Sequence, residues 1–209
     1  MALSYLRQAA FAATSFLVVA GFLPASADIQ AVNNCPFELT VFYRSQYVGN
    51  TQLSVPQGTS LQLNLPSPWV GGVMWASQNG NSNNAQATQI EFNINSAGRD
   101  YYDISVVNAY NLPVTINPTA LAPGAMPGGL ECGSPTCVIP DPNAVCQLNN
   151  FFTGPDPCCI NADGPGVEWT PSIDLFYNQC PSAYVQSNVN SMVVYGCPTG
   201  SQYDATWCP

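Results

Sequence analysis

The sequence contains no histidine and no lysine, and its 209 residues include only three arginines. Without histidine there is no Ser-His-Asp or Cys-His catalysis and no histidine-ligated metal. Without lysine there is no Walker-type phosphate loop and no Schiff-base amine. Three arginines make no basic footprint for nucleic acid. Charged residues of both signs total 7%, against about 25% in an ordinary soluble domain. The hydrophobic share is 46%, so this low charge does not signal disorder. Asn, Gln, Ser and Thr solvate the surface instead. Twelve acids set the formal charge at −9, which repels nucleic acid and anionic lipid. It leaves neutral partners such as sugars open.

Met1–Ala27 reads as an export signal. One charge, Arg7, precedes the apolar run Ala9–Leu23, and Pro24-Ala25-Ser26-Ala27 ends small-x-small. The run is shorter than the roughly 20 residues a bilayer span needs. The expected mature chain starts at Asp28, keeps only Arg44 and Arg99 as cations, and is secreted to the extracellular space or cell wall. A single domain and a monomer are expected.

All nine cysteines lie beyond that signal, at 35, 132, 137, 146, 158, 159, 180, 197 and 208. In an oxidising compartment they read as disulfides, and an odd number leaves one thiol over. No zinc-type Cys-x-x-Cys pair occurs, so neither a metal site nor a cofactor is expected. The single Asn-x-Thr, at Asn117, is blocked by Pro118.

Period-two alternation predicts strands. Thr59–Leu65 opposes Leu61, Leu63 and Leu65 to Ser60, Gln62 and Asn64. Thr88–Asn95 opposes Ile90, Phe92 and Ile94 to Glu91, Asn93 and Asn95. Tyr101–Val107 opposes Tyr102, Ile104 and Val106 to Tyr101, Asp103 and Ser105. Glu38–Tyr43, Val114–Asn117, Ser191–Tyr195 and Tyr203–Trp207 are further β-rich runs. The one helical candidate is Ile173–Gln179, and 19 prolines with 16 glycines disfavour longer helices. The expected class is all-β, a sandwich or barrel. Pro118–Asp163 is loop-like, holds five of the cysteines, and needs bridges in place of a core.

Four blocks carry a family resemblance. They are IQAVNNCPFELTVFY (29–43), RDYYDISVVNAYNLPVTINP (99–118), FYNQCPSAYV (176–185) and YDATWCP (203–209). In this order they resemble the thaumatin-like proteins, the family of thaumatin and osmotin. The resemblance implies a flattened β-sandwich with a disulfide-rich lobe against it and a groove between. On that template 28–118 and 176–209 are mostly sandwich and 119–175 is lobe. It also implies the pairs Cys35–Cys208, Cys132–Cys197, Cys137–Cys180 and Cys146–Cys158. Cys159 is then the expected odd thiol, or Cys158 if the neighbours exchange roles. The short loops and reduced cysteine count resemble fungal members more than plant ones, and defence-related roles accompany the family.

The family's groove is acidic and is credited with β-1,3-glucan binding and sometimes weak hydrolysis. Carried over, its Glu is Glu91 and one Asp is Asp103. A second Asp falls at Asn108, the Arg falls at Val73, and 186–190 supplies no carboxylate. Two carboxylates are the minimum for glycoside hydrolysis, so Glu91 and Asp103 are the catalytic candidates. The simpler reading makes them solvated strand residues that keep a sheet face polar, or has Asp103 hold a loop by hydrogen bonds. Tyr101 and Tyr110, with Asn108, are the preferred sugar contacts; Tyr102, Tyr184, Trp69 and Trp75 are further aromatics, more simply read as core. The leading expectation is a secreted protein that binds β-glucan or a related wall polysaccharide without efficient hydrolysis. The rivals are a weak endo-β-1,3-glucanase and an apoplastic protein-binding defence or effector protein.

Overall fold

Alternating apolar and polar side chains give a strand one face to bury and one to solvate, and two such sheets cover each other here. The computed structural model describes residues 28–146, 150–188 and 193–209. The expected export signal at Met1–Ala27 lies outside the described residues, as do Ser191 and Met192 of one expected strand. The strands in chain order are β1 (Asp28–Asn33), β2 (Leu39–Arg44), β3 (Thr51–Val55), β4 (Ser60–Leu63) and β5 (Trp69–Ser77), followed by β6 (Gln89–Ser96), β7 (Arg99–Ser105), β8 (Ala109–Tyr110) and β9 (Val114–Ala120). Then come β10 (Thr136–Cys137), β11 (Phe151–Phe152), β12 (Cys158–Ile160), β13 (Tyr195–Pro198) and β14 (Gln202–Trp207). Two helices, α1 (Pro142–Val145) and α2 (Pro171–Gln179), lie between β10 and β13.

One sheet runs β10-β9-β14-β1-β4 and the other β13-β7-β6-β5-β2-β3, while β11-β12-β8 form a small third sheet. The architecture is all-β. Ile90, Phe92 and Ile94 of β6 and Tyr102 and Ile104 of β7 are buried in one core with Ile29, Ile116, Tyr203 and Trp207 of the facing sheet. Phe92 sits at its centre, 5.5 Å from the Tyr203 ring and 5.8 Å from the Tyr102 ring. Alternation fails in β4. Leu63 is buried but Leu61 is 39% exposed, on a strand that forms the edge of its sheet.

β1 and β14 pair in parallel, and their last partners are Asn33 and Trp207. The Cys35–Cys208 disulfide follows directly and ties β1 to the end of β14 across 173 residues. The turn between is held by buried Asn33. Its amide donates to the carbonyls of Phe37 (2.8 Å) and Val55 (2.9 Å), and its Oδ1 accepts from the Cys35 N–H (2.9 Å). The other bridges are Cys132–Cys197, Cys137–Cys180 and Cys146–Cys159.

The last of these corrects the expected Cys146–Cys158 pair, and Cys158, not Cys159, is the free thiol. Neighbours on a strand point to opposite faces, so only one of the two meets Cys146 at the end of α1. Cys159 takes the register opposite Phe151 and Tyr110 and faces that side. Burial, and then the charge of Asp156, push the Cys158 thiol up to about 11. A thiol so placed is inert. Alkylation of the native protein is expected to leave Cys158 unmodified, whereas denaturation without reductant exposes one reactive site, at Cys158. Peptide mapping that found the label on Cys159 would restore the original pairing.

The Asn-rich loop at 78–87, which has no cysteine, is fastened by hydrogen bonds. Buried Asp156 accepts from Ser77 Oγ (2.8 Å) and Asn79 N–H (2.9 Å), and Ser77 Oγ accepts from Asn81 N–H (2.7 Å). This anchors the third sheet's β11–β12 connection to the end of β5.

Candidate functional site

The hairpin β6–β7 places Glu91 directly opposite Asp103. Both project from the face of the six-stranded sheet that points away from the core, opposite in sense to Ile90, Phe92, Tyr102 and Ile104. Directly opposed cross-strand residues stand about 5 Å apart at Cβ. The two carboxylates therefore lie side by side on one floor. With Ser105, Asn108, Tyr184 and Ser187 they line an open cleft of about 390 Å³.

The far wall is built by the 184–187 segment. Tyr184 N–H donates to the Ile104 carbonyl (2.7 Å), and Val106 N–H to the Tyr184 carbonyl (2.7 Å), which sets residue 184 beside the end of β7. Buried Asn161 donates to the carbonyls of Val106 (3.0 Å) and Val185 (2.7 Å), clamping both segments. Ser187 N–H reaches the Gly164 carbonyl (2.9 Å). Gly164 is required here, since a Cβ would lie 1.9 Å from the Val107 carbonyl oxygen.

Among the described residues no cation lines the cleft with the pair. Across the sheet the row reads Arg44, Val73, Glu91, Asp103. Strands are about 4.8 Å apart, and Val73 fills the step between Arg44 and Glu91. The Arg44 guanidinium instead lies 5.7 Å over the Trp75 ring. Arg99 is ion-paired with Glu131 and also donates to the Gly196 carbonyl (3.2 Å). Burial first, and then the charge of Glu91, hold the Asp103 carboxyl well above its ordinary range; burial also raises Glu91. Asp103 is 8% exposed, and its Oδ1 has no hydrogen-bond partner. Burial and the two carboxylates raise the Tyr184 hydroxyl as well.

A sequence model described as the thaumatin family matches residues 77–209. The chain belongs to the thaumatin family. It is similar to a glucan endo-1,3-beta-glucosidase of Prunus avium, 27% identical over 88% of this chain and 91% of the relative. It is also similar to pathogenesis-related thaumatin-like protein 3.7 of Cryptomeria japonica, 26% identical over 93% of this chain and 97% of the relative. Among solved structures, the protein elicitor MoHrip2 of Magnaporthe oryzae aligns with 88% of this chain and all of its own at 15% identity and a TM-score of 0.49.

In this thaumatin-family chain the two carboxylates taken from the resemblance share one cleft, and Asn108 lines the same cleft. Tyr110 does not. It is 2% exposed, and its hydroxyl accepts from the Ile139 N–H (3.0 Å), so it is core and not a sugar platform. β8 pairs with β12, which turns the ring into the lobe. Tyr101 is half-buried and lies one step along β7, against Arg99, Leu130, Glu131 and Gly196, where it lines a separate pocket. Trp69, Trp75 and Tyr102 are all buried to within 1%. The cleft's aromatic is Tyr184. Ser105 and Ser187 join it; Ser105 follows Asp103 by two residues on the same strand face, a signal the alternation already contained. Ser187 follows from the fold alone.

Among the described residues no three His, Cys, Asp or Glu side chains gather as a metal site.

Proposed function

We propose that the protein is exported by its Met1–Ala27 signal and binds β-1,3-glucan or a related wall polysaccharide without efficient hydrolysis. One observation carries this reading. Glu91 and Asp103 share an open cleft with one aromatic ring and three polar side chains, the platform-plus-polar make-up of a sugar site, while two carboxylates are necessary but not sufficient for hydrolysis. Tyr184 offers a ring for a pyranose face, and Asn108, Ser105 and Ser187 offer partners for its hydroxyls. Support for glucan as the ligand class comes from the Prunus avium relative, whose name assigns it that polymer.

Incubation with insoluble β-1,3-glucan at raised salt is expected to sediment the protein while releasing no reducing ends. Failure to bind any wall glucan would remove the proposal. The glucanase reading has one observation in its favour. Asp103 is buried and Glu91 only half-buried, so the pair divides into a better acid and a better base. Reducing-end release that is abolished by Glu91→Gln would establish it; release untouched by Glu91→Gln would remove it.

A further inference from the structure

We propose that the Glu91–Asp103 pair recognises a protonated sugar amine, so that the preferred polysaccharide carries glucosamine units with free amino groups. This rests on the polysaccharide-binding reading and names the chemistry of its ligand.

The pair is an uncompensated anionic site. Asp103 Oδ1 is buried in the cleft floor without a donor. Glu91 is its direct neighbour on β6. Val73 of β5 stands opposite Glu91, the 183–187 segment brings Tyr184, and among the described residues no cation lines the cleft. Arg44 is engaged on Trp75 and Arg99 on Glu131. A buried acceptor beside a like charge is relieved by taking up a proton itself, or by a ligand group that brings both a hydrogen and positive charge.

Three ligand chemistries compete for that position. A sugar hydroxyl donates to Oδ1 but leaves the two carboxylates repelling each other. A calcium ion needs six to eight oxygen ligands, several of them commonly carboxylate, and this cleft offers two acids with no third nearby. An ammonium on a pyranose ring supplies three donors and one charge, which matches two adjacent carboxylates. The same ring leaves its apolar face for Tyr184 and its hydroxyls for Asn108, Ser105 and Ser187.

The test is calorimetric titration, in raised salt and near neutral pH, with three soluble oligomers of equal length: glucosamine, N-acetylglucosamine and β-1,3-linked glucose. The glucosamine oligomer is expected to bind about tenfold more tightly than its acetylated counterpart. Asp103→Asn is expected to bring the two within about twofold. Glu38→Gln removes the same charge from an exposed site and is expected to keep the full preference. Equal affinity for amine and acetamide in the wild type would overturn the inference. So would a preference that survives Asp103→Asn, because it would then be a bulk effect of net charge. Binding of the glucose oligomer with no amine preference removes only this inference, whereas no binding of any oligomer removes the polysaccharide reading too. Saturable binding of calcium alone, lost in Asp103→Asn and without amine preference, would make the pair a metal site and overturn the inference.

Discussion

Replacing Asp100 by alanine is expected to lower the unfolding free energy by about 4 kcal/mol, with the fold still attainable at low temperature. Asp100 is fully buried at the start of β7. It accepts from Asn95 N–H (2.8 Å), Thr199 Oγ1 (3.3 Å) and Tyr203 Oη (3.0 Å). Asn95, Ala97 and Gly98 of the preceding turn all have positive φ, at 56°, 54° and 81°. Two of these are non-glycine residues in a region that L side chains avoid, and the carboxylate bonds the backbone of one of them. Alanine leaves the buried Tyr203 hydroxyl and the Asn95 N–H without partners. Asp100→Asn keeps one acceptor oxygen but turns an amide NH2 towards donors, so about half the loss is expected. Denaturant unfolding of the three proteins checks the order. Equal stability of Asp100→Ala and wild type would show that the turn does not depend on this latch.

Three residues on, the opposite sign is expected. Asp103→Asn should raise stability at neutral pH by about 2 kcal/mol, because it removes a buried acid with an unsatisfied oxygen beside a like charge. The pH dependence follows from the direction of the shift. Asp103 and Glu91 are both raised in the folded protein, so the native state holds their protons more tightly than the unfolded chain. Their favourable contribution is complete below the ordinary carboxylate range, about pH 4. It is lost as pH rises through their folded values. Wild-type stability should therefore decline between mildly acidic and neutral pH, and Asp103→Asn should flatten that decline. Asp100 is also raised, by burial opposed by its three donors, so part of the slope remains in the variant. Thermal unfolding across that range measures both curves. A variant less stable than wild type at neutral pH would mean that Asp103 has a partner which holds its charge.

These two aspartates belong to one sequence block, and the block alone does not separate them. Alternation in Thr88–Asn95 and Tyr101–Val107 made the core face legible, since Ile90, Phe92, Tyr102 and Ile104 had to point one way. It also put Glu91 and Asp103 on the other face. Their direct opposition depends on the register of the hairpin, which a bulge between Asn93 and Ser96 sets. β5 escaped the pattern. WVGGVMWAS places Met74 in the main core and Trp75 in a second small cluster with Phe42 and Ala87 on the opposite face. A strand covered on both sides has no polar period to read. Tyr110 shows the reverse error. Its place in the family block suggested the groove, but pairing of β8 with β12 turns its ring inward. Cys158 and Cys159 could not be told apart either, because which of two strand neighbours meets Cys146 is fixed by tertiary register.

The central claim is that the cleft floored by Glu91 and Asp103 and walled by Tyr184 holds polysaccharide. Titration of a soluble β-1,3-linked glucose oligomer into the wild type and into Tyr184→Ala tests it most directly. Saturable binding is expected in the wild type, weakened about tenfold, or ~1.4 kcal/mol, in the variant. Absence of saturable binding, or equal affinity in the two proteins, would contradict it.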